Sequence, residues 1–215
     1  MSEDDGALRV VFDFGGVLFN WQPDELVQRY LPRHATGAAA IRALVAGVFQ
    51  GFGGDWAQFD RGVLDVRELV RRIVARTGLP AREVAALVNG VPPSLTPKPD
   101  TVDLLLRLRA AGAALHFLSN MPQPYAEYLN RTHPELIGHF RSGLYSSHVR
   151  LIKPEAELYE LASRSFAASA ARLVLLDDIA ANVHAARASG WKALQFTDAR
   201  SCEQALRANA WWPEA

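Results

Sequence analysis

The chain has 215 residues, of which 23 are Lys or Arg and 23 are Asp or Glu, so its formal net charge is zero. Hydrophobic residues make up 49%, enough to bury a full core in one α/β domain with an insertion or in two small domains. The charge balance argues against a nucleic-acid binder, and the single cysteine, Cys202, excludes a disulfide within the chain and suits a cytoplasmic protein.

The opening, "MSEDDGALR", is acidic, unlike the basic start of a signal peptide. No apolar run reaches the roughly 18 residues that span a membrane. The first strand is "LRVVFDF", residues 8–14, whose apolar run and valines suit a buried parallel strand. From Pro23 to about Asn89 the periodicity is helical. "QGFGGDW" interrupts it as a glycine-rich loop, and "DVRE" resembles a capping box in which Asp65 accepts backbone N–H groups. The arginines of "VRELVRRIVAR", Val66 to Arg76, form a solvated helical face. "GLPAREVAALVNG" places Pro80 at a helix start and Gly90 at its stop.

"VPPSLTPKP" carries four prolines in nine residues and marks a boundary. Beyond it, helices and strands alternate. A helix over 100–111 stops at Gly112, and a strand follows over 113–118. A helix near 123–131 and a short apolar stretch around Leu144 come next. Then come a helix over 155–166, a strand over 172–176, a helix over 180–189, a strand over 192–196 and a last helix from about 201 to 209. This alternation predicts a doubly wound parallel sheet covered on both faces. The helical excursion after the first strand is too long for a plain crossover, so it reads as a cap inserted over one end of the sheet. The expected division is residues 1–20 and 97–215 for the α/β core and 21–96 for the helical cap.

Ligands of open α/β sheets bind beyond the carboxyl ends of the strands. In this chain those ends carry Asp13, Ser119 with Asn120, and Asp177 with Asp178, while Lys153 precedes a helix in "RLIKPEAELY". Singly, each has an ordinary explanation as a turn residue, a cap or a surface lysine. Their joint occurrence at strand ends, in this order, points to one crevice.

The segments "VVFDFGGVL", "HFLSN", "IKPEAELY" and "LVLLDDIAANVHAARASGW" resemble, in order, the four motifs of haloacid dehalogenase-like (HAD) hydrolases. The resemblance runs from Leu8 to Phe196 and is to the subclass with a small helical cap on a Rossmann-like core. "FDRG", Phe59 to Gly62, and "LSN" further resemble bacterial phosphatases of the α-D-glucose-1-phosphatase type, which implies a small phosphorylated metabolite such as a sugar phosphate. By that resemblance Asp13 attacks phosphorus to give an aspartyl-phosphate, and Mg²⁺ is held by Asp13, the Gly15 carbonyl and Asp178. Asp177 and Asn182 support these groups. Lys153 neutralises nucleophile and phosphate, Ser119 and Asn120 donate to phosphate oxygens, and Gly16 gives the backbone room to approach it. The implied partner is a small phosphate ester, with monomer and homodimer both open.

One position departs from the pattern. Two residues after the nucleophile such phosphatases carry an aspartate that acts as general acid and base, a contribution of ~10²–10⁴ in rate. This chain has Gly15 there. It therefore uses a substitute, with Asp60, Asn20 and Asp24 as candidates, or favours esters with good leaving groups, or is weak. A 2-haloacid dehalogenase shares the aspartate nucleophile but needs no metal, and Asp177-Asp178 argues against it. A catalytically weak phosphate-ester-binding protein is the third alternative. Trp56 and Phe59 are read as cap core, or as walls of the substrate pocket. His116 is read as packed, His184 as solvent-facing, and Trp211-Trp212 as covering the sheet edge or a subunit contact.

Overall fold

The computed structural model describes residues 8–213, so most of the acidic opening lies outside the described residues. Five strands form one parallel sheet: β1 (Arg9–Phe12), β2 (Ala114–Ser119), β3 (Ser142–Tyr145), β4 (Leu173–Asp177) and β5 (Lys192–Gln195). Their order is β3-β2-β1-β4-β5, with β1 at the centre. This is the doubly wound arrangement expected from the alternation of elements. Side chains alternate between faces with period two. Val10 and Phe12 join one buried cluster and Val11 the other. Helices α6 (Pro99–Ala110), α7 (Gln123–Thr132) and α12 (Ala199–Ala208) contribute to the first cluster, and α10 (Ala156–Ser165) and α11 (Ala180–Ala188) to the second. Two short helices, α8 (Pro134–Ile137) and α9 (Ser146–Val149), flank β3.

Between β1 and α6 the chain forms α1 (Pro23–Tyr30), α2 (Ala38–Phe49), α3 (Asp55–Asp60), α4 (Val66–Thr77) and α5 (Ala81–Ser94). The amphipathic α4 buries Leu69 and Ile73, and Asp65 accepts from the Glu68 N–H as its cap. Its outer arginines are engaged on the surface, Arg71 with Glu68, and Arg72 and Arg76 with Asp55. The chain leaves and re-enters through a narrow neck. Phe19 bridges Pro97, the Asn20 N–H donates to the Thr96 carbonyl at 2.8 Å, and the Lys98 N–H donates to the Leu18 carbonyl at 2.9 Å.

The expected helix stop at Gly90 is wrong. α5 runs on through Pro92 and Pro93 to Ser94. Gly90 is a packing glycine: a Cβ there would stand 2.2 Å from the Tyr30 ring. Pro92 has no N–H to offer the Val88 carbonyl one turn back. The Tyr125 hydroxyl donates to that carbonyl instead, at 2.6 Å, tying α5 to α7.

The stretch around Leu144 is strand β3. Its Gly143 lies under Phe117, whose ring leaves no room for a Cβ. His116 is buried, stacked on Phe166 and within 2.8 Å of the Ser142 hydroxyl, whereas His184 is exposed. Trp211 and Trp212 pack against the larger cluster, with the Arg207 guanidinium 4.0 Å from the Trp212 ring.

Candidate active site

β1 and β4 are neighbours, with Phe12 opposite Leu176, so Asp13, just past β1, and Asp177, the last residue of β4, come side by side at the carboxyl end of the sheet. The Asp13 N–H extends the ladder to the Leu176 carbonyl at 2.9 Å. After Asp13 the chain turns tightly, and the Phe14 carbonyl accepts from Leu18 and Phe19. Gly16 sits in this turn at φ +80°, and a Cβ there would lie 2.2 Å from Asp178 Oδ2. Both the backbone angle and the carboxylate demand glycine. The Gly16 N–H donates to the Phe19 carbonyl, so its close approach is to Asp178. Gly15 is different: a Cβ there would make only ordinary contact with Trp21 at 3.7 Å.

Lys153 is the hub. Its Nζ lies 2.9 Å from Asp13 Oδ1 and 2.6 Å from Asp177 Oδ2. Asn120 holds its backbone from both sides, accepting from the Lys153 N–H at 2.8 Å and donating to the Lys153 carbonyl at 3.0 Å. Asn120 therefore reaches the site by positioning Lys153. Ser119 is buried at the end of β2. Asp177 is wholly buried and saturated, accepting from the Ile179 N–H, from Asn182 Nδ2 and from Lys153. Asn182, one turn into α11, thus orients Asp177.

Asp178 contrasts with it. Its Oδ1 is buried without a hydrogen-bond partner. Oxygens of Asp13, Asp177 and Asp178 all lie within 4.8 Å of one another. Burial pushes Asp13 up to about 7, against the attraction of Lys153 and with repulsion from Asp177 and Asp178 added. Burial and the Asp177 charge also raise Asp178. Burial alone would lower the Lys153 ammonium, but Asp13 and Asp177 outweigh it and hold it above lysine's ordinary range. Three clustered carboxylates against one ammonium leave an excess of negative charge. An orphaned carboxylate oxygen beside two others is a donor set suited to a hard divalent cation.

Sequence reasoning missed Lys98. It comes from the return side of the neck, and its Nζ donates to the Gly16 carbonyl at 2.8 Å while its charge, like that of Lys153, partly opposes the rise that burial imposes on Asp178. Nothing in "TPKP" signals this, because the contact depends on the neck.

The carboxylates open into a chamber of about 380 Å³ with largely apolar walls. Trp21, Phe49, Phe52, Trp56, Val91 and Leu95 line it from the segment inserted after β1, and Met121, Tyr125 and Ile179 from the rest of the chain. Phe52 and Ile179 are among the few exposed large apolar residues. Trp56 is both cap core and chamber wall, whereas Phe59 is buried behind it. Of the three candidate acids, Asp60 lines the chamber, Asp24 is exposed on α1, and Asn20 donates to the Thr96 hydroxyl.

Similarity to known proteins agrees with this arrangement. The chain is 29% identical over 198 residues to the sesquiterpene phosphatase astK of Aspergillus oryzae, covering 92% of this chain and 93% of that protein. Its fold matches the HAD family enzyme BT-2542 of Bacteroides thetaiotaomicron, solved with magnesium and inorganic phosphate. There the TM-score is 0.68 at 19% identity, over 90% of this chain and 96% of that one. It also matches the L-2-haloacid dehalogenase of Xanthobacter autotrophicus, with a TM-score of 0.66 at 17% identity, over 94% and 83%. A family model for haloacid dehalogenase-like hydrolases spans residues 9–190, from β1 past the end of α11, and the chain belongs to that family of hydrolases.

Proposed function

We propose that the protein is a Mg²⁺-dependent phosphatase of a phosphate monoester, acting through an aspartyl-phosphate on Asp13. The observation that carries this reading is the unpartnered oxygen of Asp178 beside Asp13 and Asp177, with Lys153 as the cation inside the cluster. A phosphate dianion would meet net negative charge there, so a bridging cation is needed for it to approach. Asp13, the Gly15 carbonyl and Asp178 would hold Mg²⁺, and the ion supplies charge neutralisation at the transferring phosphoryl group. Asp13 attacks phosphorus. Lys153 holds the attacking carboxylate in place and balances the phosphoryl oxygens. Ser119, buried at the end of β2, would donate to a phosphate oxygen, Asn120 and Asn182 fix Lys153 and Asp177, and Gly16 leaves room for Asp178. The proposed division is residues 1–20 and 97–215 for the core and 21–96 for the cap, supported by the neck that pairs Asn20 with Thr96.

The walls favour an ester with an apolar organic group over a sugar phosphate. Aromatic and aliphatic side chains dominate the lining, and the chamber's size falls within the range of ~300–1,000 Å³ usual for small-ligand pockets. The sesquiterpene phosphatase relative supports the same class. The test compares phosphate release from a sesquiterpenyl monophosphate, glucose-1-phosphate and p-nitrophenyl phosphate, with Mg²⁺ or with EDTA, beside chloride release from 2-chloropropionate. Mg²⁺-dependent release that is fastest for the terpenyl ester, and lost in Asp13→Asn, is expected. Chloride release that survives EDTA, without phosphate release, would overturn the reading in favour of a dehalogenase.

A further inference from the structure

Gly15 leaves the reaction without the acid that should sit two residues after the nucleophile. We propose that Asp60, from the C-terminal end of α3, supplies it, protonating the leaving oxygen and then activating the water that clears the aspartyl-phosphate. This rests on the phosphatase reading above. Asp60 lines the same chamber as Asp13, Lys153 and Asp178, and is near enough to feel the charges of Asp13 and Lys153. Its carboxyl makes no hydrogen bond or ion pair among the described residues, so it is free to meet a substrate.

Its placement is fixed by the rest of "FDRG". The Ser146 hydroxyl donates to the Asp60 carbonyl at 2.5 Å and accepts from the Met121 N–H at 2.8 Å. Arg61 forms a two-pronged pair with Glu155 and donates to the Arg150 carbonyl. Gly62, at φ +75°, lies against Ser147, where a Cβ would come within 2.8 Å of its carbonyl oxygen. Three consecutive residues thus dock the end of α3 onto the segment from α9 to α10. A catalytic group brought in from an inserted segment needs such a mooring.

The electrostatics point the same way. Burial, then the charge of Asp13, hold Asp60 well above the usual carboxylate range, with Lys153 opposing. The groups that bear on it are Asp13 and Lys153 from the floor and the Tyr125 phenol from α7. A carboxyl shifted in this direction keeps its proton to higher pH than a free aspartate, which is the direction a general acid needs.

The balance closes in two steps. In the first, an Asp13 carboxylate oxygen bonds to phosphorus, the ester P–O bond breaks, and the Asp60 proton passes to the departing alkoxide. This leaves an alcohol, the aspartyl-phosphate and an Asp60 carboxylate. In the second, Asp60 takes a proton from water as the water oxygen bonds to phosphorus. The bond from phosphorus to Asp13 breaks, giving inorganic phosphate, free Asp13 and neutral Asp60.

The experiment measures kcat for alkyl and aryl phosphates of graded leaving-group pKa, on the Mg²⁺-loaded full chain. Wild type, Asp60→Asn, Gly15→Asp and the double variant are compared. Asp60→Asn should lose about a hundredfold on alkyl esters and less than about tenfold on p-nitrophenyl phosphate, as loss of a general acid requires. Its dependence on leaving-group pKa should steepen. Gly15→Asp placed on Asp60→Asn should restore alkyl turnover and flatten the dependence again. Circular dichroism and the melting midpoint check that each variant folds. Equal losses on alkyl and aryl esters, or alkyl turnover untouched by Asp60→Asn, would overturn the role of Asp60 while the phosphatase reading stood. A wild type that releases phosphate from no ester would overturn both.

Discussion

The Lys153 ammonium lies 2.9 Å from the Asp13 carboxylate, and only 1% of the lysine side chain is exposed. A buried cation held by two buried carboxylates behaves unlike a surface pair. Removing one member strands the others without compensation.

Lys153→Met should therefore destabilise the fold by about 3–5 kcal/mol, the cost of breaking a buried ion pair, as well as abolish turnover. Urea unfolding reads the first and phosphate release the second. A variant as stable as wild type would mean that Asp13 and Asp177 become neutral, or reach water, at little cost.

The two neighbouring aspartates should separate by readout. Asp177 is wholly buried, with Lys153, Asn182 and the Ile179 N–H around it. Asp177→Ala is expected to lower the melting midpoint steeply. Asp178 has an unpartnered oxygen and a raised pKa, so its charge strains the apo fold. Asp178→Ala should melt no lower than wild type without metal, and should lose the Mg²⁺ heat seen by calorimetry. Wild-type Mg²⁺ affinity in Asp178→Ala would remove that residue from the metal site.

The paired glycines should differ sharply. Gly16→Ala forces a side chain into the left-handed region, at a cost of about 1–2 kcal/mol, and also drives its Cβ into Asp178. Gly15→Ala meets only Trp21 at ordinary distance. The expected result is a large loss of both stability and Mg²⁺-dependent activity for Gly16→Ala, and near wild-type melting for Gly15→Ala. Equal melting midpoints for the two variants would show that the turn is looser than its geometry implies.

Tyr125→Phe leaves the Val88 carbonyl without its hydroxyl donor. Pro92 cannot replace it, so the cost should be about 1–3 kcal/mol, that of an unsatisfied buried acceptor. Chemical denaturation of Tyr125→Phe beside wild type measures it, and a difference below a few tenths would mean that water fills the gap.

Much of this was legible in the sequence. The β-branched run before Asp13, and the alternation of apolar strands with capped helices after Pro97, carry local signals that tertiary contacts do not override. The strand ends therefore pointed to Asp13, Ser119 and Asp177 before any contact was known. Other features were hidden because their causes are non-local. Gly90 looked like a stop because a glycine packed under a tyrosine has no local mark. The segment "SGLY" is short and takes its strand character from pairing with β2. The grip of Asn120 on both sides of the Lys153 backbone was hidden too, because it joins residues far apart in the chain. The choice of Asp60 among three candidates depended on which cap residue faces inward, and one-dimensional spacing does not encode that.

The neck between the two parts of the chain sets a rule for engineering. Lys98 leaves the returning strand of the neck and grasps the Gly16 carbonyl. The neck and the turn that follows Asp13 are therefore tied by a hydrogen bond, so a change in how the inserted helices are seated would act on the turn beneath Asp178. Grafting a foreign cap at residues 21 and 96 to change substrate preference would keep Lys98 yet alter the pull on it. Chimeras should then differ in metal affinity even when every carboxylate of the site is retained.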